Sequence, residues 1–150
     1  MCGDQCRQSC GGALAVLTRP ARRYCPLSMA MAGRLAFHDK GNGGSTATHV
    51  TYTPGEDARS SLGDIDACVV IIHETGDLTT SAIISPVLCR FSLARGRWIL
   101  SEDDRERSIE VPLSHPMRIE VGGEGIIGRR VTLWSEQSSS PAAEGIIGYN

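Results

Sequence analysis

From Ser108 to Ser135 apolar and polar residues alternate with a period of two, and this restricts the fold more than any other feature of the chain. Ile109, Val111 and Leu113 alternate with Ser108, Glu110 and Pro112; after His115-Pro116, Met117, Ile119 and Val121 alternate with Arg118 and Glu120. Such a period places one set of side chains on a core face and the other in water, as a strand does and a helix does not. Gly122-Gly123 then permits a tight reversal, and Val131 and Leu133 resume the inward face. The pattern is that of an antiparallel meander, with all eight of these apolar residues expected in one core.

Upstream, Thr46 to Thr53 is rich in β-branched residues between the turn-forming run DKGNGGS and the polar run PGEDARSSLG, so a strand is expected there. Ile65 to His73 is continuously apolar, the mark of a strand covered on both faces, and is expected at the centre of the sheet. Ser81 to Ser85, Val87 to Leu93 and Trp98 to Leu100 complete the strands, with Pro86 marking a corner or an edge. The charged run Glu102 to Arg107 reads as a solvated loop. Apolar spacing of three and four residues is sustained nowhere in the body of the chain, so helices are few. The expected fold is all-β: an antiparallel β-sandwich or small barrel of about seven short strands.

The 150 residues, 41% of them hydrophobic, suit one domain with tails. Residues 1–34 read as a poorly ordered N-terminal extension or an early start, with translation beginning at Met29 or Met31; a transit peptide is the alternative, because several arginines there face one acid, Asp4. A chain beginning at Met31 is then expected to keep its unfolding midpoint. Residues 35–136 form the β-domain, and 137–150, rich in serine, proline and alanine, a flexible tail. Cys2, Cys6, Cys10 and Cys25 lie in the leader without the C-x2-C knuckle of a metal site. Cys68 and Cys89 lie in apolar strands, where cysteine packs as a small hydrophobe.

Fifteen basic and seventeen acidic residues leave a formal charge of -2, so no overall basic field draws the chain to nucleic acid. No apolar run reaches the length of a spanning helix, and no membrane partner is expected. The four histidines are scattered, and neither a hydrolase elbow nor a Walker loop is present. No catalytic residue, metal or cofactor is assigned. Candidate contact residues are Arg95, Arg97 and Trp98, where charge and an aromatic ring share one turn, together with Trp134, Ile126 and Ile127. The last two belong to Glu124-Gly125-Ile126-Ile127-Gly128, which recurs as Glu144-Gly145-Ile146-Ile147-Gly148, and both isoleucine pairs are expected to expose apolar surface. A competing acidic centre is offered by Asp64, Asp66 and Asp77.

In the order of its elements, ACVVIIH, GRWIL, SEDDRER, RSIEVPL, PMRIEV, GGEGIIG and RRVTLWSE, the stretch from about Asp64 to Glu136 resembles small β-sandwich accessory proteins of tailed-phage virions. The resemblance covers about half the chain and carries no signature motif. It implies a non-enzymatic structural or attachment module that assembles with itself, as a homo-oligomer, or with a larger structural protein. On that resemblance the chain belongs in a virion; otherwise it is expected in the cytoplasm. The alternative is a small enzyme or carbohydrate-binding β-domain built on the three aspartates.

Overall fold

A computed structural model describes residues 11–20, 31–41, 44–56, 65, 67–101, 106–136 and 140–150. Among them are nine strands and no α-helix: β1 (Ala13–Leu17), β2 (Gly33–His38), β3 (Thr46–Pro54), β4 (Cys68–His73), β5 (Val87–Ser92), β6 (Arg97–Leu100), β7 (Arg107–Arg118), β8 (Arg130–Ser135) and β9 (Pro141–Tyr149). They form one curled antiparallel sheet, a half-barrel, in the order β5-β4-β8-β9-β1-β2-β3-β7-β6. The all-β antiparallel expectation holds at this level. The count of about seven does not, because two strands lie in segments read as tails.

The first of these is β1, the middle strand of the nine. It pairs with β2 through Ala15↔Leu35 and with β9 through Ala15↔Ile147, and buries Ala13, Ala15 and Leu17. The stretch 13–17, expected within an extension lacking a core, is thus at the centre of the sheet. Its outward residues, Leu14 and Val16, are apolar as well, so no alternation marks it as a strand. The second is β9, in the segment expected as a flexible tail. Its Ala143, Gly145 and Ile147 point inward, opposite Leu133, Val131 and Ala15 respectively. Gly145 is required by close approach: a Cβ there would lie 2.2 Å from the Val16 carbonyl oxygen. The strand expected at the centre, β4, lies instead next to the edge strand β5.

Other departures are local. Ser81 to Ser85 forms a turn rather than a strand, closed by Ile84 and Ser85 N–H groups donating to the Ser81 carbonyl. The expected break at His115-Pro116 is absorbed into the single long β7, whose pairing with β3 shifts register between Ala47 and His49. Of the eight residues expected in one core, Ile109, Val111, Ile119, Val131 and Leu133 are buried, and Leu113 and Met117 pack partly against them. Val121 is exposed because the chain has left the ladder at the glycine reversal. Ile126 and Ile127 belong to the core, contrary to their expected exposure, while Ile146 faces outward and Ile147 inward.

The sheet curls because its two edges are consecutive in the chain. β5 ends at Ser92 and β6 begins at Arg97, so the residues between them span at most about 17 Å. The 3-10 turn Leu93–Arg95 fills this link, with Ser92 Oγ accepting from Ala94 N–H and Leu93 wholly buried. Gly96 then crosses β7 so closely that a Cβ would lie 2.3 Å from Ile109 Cγ2. Strand faces set by period two thus enclose a core inside the curl, and polar side chains line much of the outside.

Candidate interaction surfaces

On the outer face of β2, β3, β7 and β6, one carboxylate organises the polar residues. Glu110, nearly buried, receives a hydrogen bond from Lys40 Nζ, and Arg97 Nη2 lies 3.5 Å from the same oxygen. His38 Nε2 lies 3.9 Å from its other oxygen and 2.9 Å from Thr51 Oγ1. The His38 and His49 rings stack with centroids 6.0 Å apart, and His49 Nδ1 meets Thr48 Oγ1. Burial opposes ionisation of Glu110, but the Lys40 hydrogen bond and charge, aided by the histidines, hold its carboxyl below the ordinary range. Burial lowers His38, against the pull of Glu110. None of these contacts was legible in the sequence, where Lys40 and Glu110 stand far apart and share no motif.

Arg97 joins this cluster to the free edge. Its side chain remains 75% exposed, so most of its donors face solvent. Beside it along β6, Trp98 is 40% and Leu100 56% exposed. Both project to the core side of the sheet, since Trp98 stands opposite the buried Ile109, but they lie at its rim. Arg95 is exposed on the turn preceding the strand. Arg97 and Trp98, neighbours on β6, therefore project to opposite faces of the sheet, and Arg95 stands on the turn before them. Trp134 is elsewhere, half-buried on β8, and the core isoleucines Ile126 and Ile127 offer no surface.

Trp134 belongs to a second polar assembly, beneath the β4–β5 loop. Its Nε1 donates to Thr132 Oγ1 at 2.7 Å, Thr132 Oγ1 meets His73 Nε2 at 2.8 Å, and His73 Nδ1 meets the Ser85 carbonyl at 3.4 Å. A neutral His73 protonated at Nδ1 satisfies all three contacts: the indole and imidazole N–H groups donate, and the threonine hydroxyl donates to Nε2. Burial, reinforced by Arg130, lowers the pKa of His73 despite the opposing Ser85 hydrogen bond. Arg130 itself is buried, with Nε donating to Glu144 Oε2 at 3.0 Å and Nη1 donating to the Asp77 and Thr80 carbonyls. A cavity of about 50 Å³ adjoins this pair, bounded by Leu78, Ile83 and Pro141.

The loop is anchored by buried Ala82 and Ser85, and this turn presents Ile83 and Ile84, 66% and 73% exposed, beside edge strand β5. Asp77 accepts hydrogen bonds from Thr79 N–H, Thr79 Oγ1 and Thr80 Oγ1, which hold its carboxyl well below the ordinary range. Its carboxylate is thereby committed to the turn. Asp64 and Asp66 lie outside the described residues, as do Cys2, Cys6, Cys10 and Cys25. Cys68 is buried, its Sγ donating to Met31 Sδ at 3.5 Å, and Cys89 is half-buried. Among the described residues, no group of three or more His, Cys, Asp or Glu could hold a metal ion, and no helix is long and apolar enough to cross a membrane. Compared with known proteins, the chain matches no family, no curated protein and no solved structure.

Proposed function

We propose that the chain is a non-catalytic assembly module that joins copies of itself or a larger structural protein through the edges of its curled sheet, in the manner of a virion accessory protein. The observation that carries this reading is that, among the described residues, both terminal strands of the sheet, β5 and β6, pair on one side only, with exposed apolar side chains beside the open side. Ile83, Ile84 and Val87 stand at one edge, and Trp98 and Leu100 at the other. An open edge offers unpaired N–H and C=O groups, and apolar residues beside it add a desolvation gain when another strand docks. The link between β5 and β6 favours a barrel-like closure over a two-layer sandwich. The acidic-centre alternative draws no support from Asp77, whose carboxylate is occupied by its own turn.

Light scattering of the full chain at tens of micromolar tests the reading. A mass above the 16.1 kDa of one chain is expected. A strict monomer that also fails to capture a structural partner would overturn it.

A further inference from the structure

We infer that β6 pairs antiparallel with β6 of a second copy of this chain, centred on Ile99, so that one sheet runs through two subunits. The inference rests on the assembly reading and specifies the surface. Ser101 N–H donates to the Glu106 carbonyl at 2.9 Å, continuing the ladder that sets Leu100 opposite Arg107. Backbone groups of a strand alternate sides, so Ile99 and Arg97 also direct theirs toward β7. Trp98 and Leu100 therefore direct their N–H and C=O groups out of the sheet. No other backbone hydrogen bond among the described residues engages these groups.

Residues opposed across an antiparallel pair must lie on the same face of the sheet. Centring on Ile99 meets this condition and sets Trp98 of each copy against Leu100 of the other. Each of these pairs exchanges two backbone hydrogen bonds, because both residues have their groups turned outward. The same pairing covers the two exposed apolar side chains of the strand with one another, on one face, twice by symmetry. Charge agrees with this direction. Arg97 precedes the axis and Glu106, opposite Ser101, follows it on the same outer face, with Arg107 on the other face. An antiparallel copy therefore sets Arg97 of one strand toward the Glu106 end of the other.

Two variants of the full chain test the pairing. Ile99 meets its own counterpart at a position without direct hydrogen bonds, where Cα atoms approach to about 4.5 Å, within the range a disulfide spans. Ile99→Cys should give, on mild oxidation, a reducible covalent dimer linked through position 99 and absent from the parent chain. Leu100→Pro removes an N–H that faces outward and leaves the β6–β7 ladder intact. It should keep a cooperative unfolding transition yet lose association in sedimentation. If the parent associates but Ile99→Cys does not cross-link and folded Leu100→Pro still associates, another surface is responsible and the β6 inference falls alone. If the parent is monomeric throughout, the inference falls, and the assembly reading falls with it when the chain also captures no structural partner.

Discussion

Leu17→Ala separates a central strand from a dispensable leader. Leu17 is 1% exposed and packs in the core from β1, the fifth of nine strands, whereas its neighbour Val16 is 61% exposed on the outer face. Truncating a core leucine removes its transfer free energy and leaves a cavity, at a cost of about 2–5 kcal/mol. Removing exposed methyls at Val16 falls within about 0.5 kcal/mol. Against a total stability of roughly 5–15 kcal/mol, the first change is a large fraction and the second is not. For a domain of this size each kcal/mol lowers Tm by about 2–4 °C, so Leu17→Ala should melt roughly 10 °C below the parent. Urea unfolding followed by tryptophan fluorescence should shift the midpoint at unchanged slope for Leu17→Ala, with Val16→Ala superimposing on the parent. If both variants superimpose, Ala13–Leu17 is not part of the cooperative core. By the same logic a chain starting at Met31, which sequence alone expects to be undisturbed, should lose its cooperative transition because β2 and β9 lose their shared neighbour.

Glu144→Gln leaves the buried Arg130 without its anion while preserving shape, and should cost about 3–5 kcal/mol by chemical denaturation; a loss under about 1 kcal/mol would show that the Asp77 and Thr80 carbonyls suffice. Stability should also fall as pH drops below about 6.5, because the unfolded chain protonates His73 and His38 before the folded chain does. That loss levels off once the folded histidines titrate. His73→Gln should flatten the slope between about pH 7 and pH 5 without abolishing it, since His38 shifts in the same direction; an unchanged slope would show that His73 titrates normally in the fold.

The sequence revealed strands wherever polar and apolar residues alternated or composition was strongly β-branched. Ile109, Val111, Val131 and Leu133 declare their face because polar residues take the alternate positions, even though Glu110, Arg130 and Thr132 are themselves buried. β1 is hidden because Leu14 and Val16 are as apolar as the residues they alternate with, and β9 because close packing against β1 demands Gly145, which ordinarily marks a turn. Ser81 to Ser85 misleads in the opposite direction: Ile83 and Ile84 look like strand core but ride outward on a turn anchored by small residues. The same ambiguity hid the fate of the two EGIIG segments. Their isoleucines differ in exposure because Ile126 and Ile127 fold inward after the glycine reversal, whereas Ile146 and Ile147 alternate along β9. Of the candidate contacts, Arg97 and Trp98 adjoin in sequence but alternate to opposite faces of β6, which proximity along the chain does not reveal. The cluster around Glu110 was not legible, because it is assembled by strand register across four strands.

Amide hydrogen exchange, resolved by residue and repeated over a dilution series, tests assembly through the open edge most directly. The N–H groups of Trp98 and Leu100 should be protected in concentrated solution and exchange freely on dilution, while that of Ile99, bonded within the subunit, should keep the same protection throughout. Exchange at Trp98 and Leu100 that is fast and independent of concentration would contradict the account.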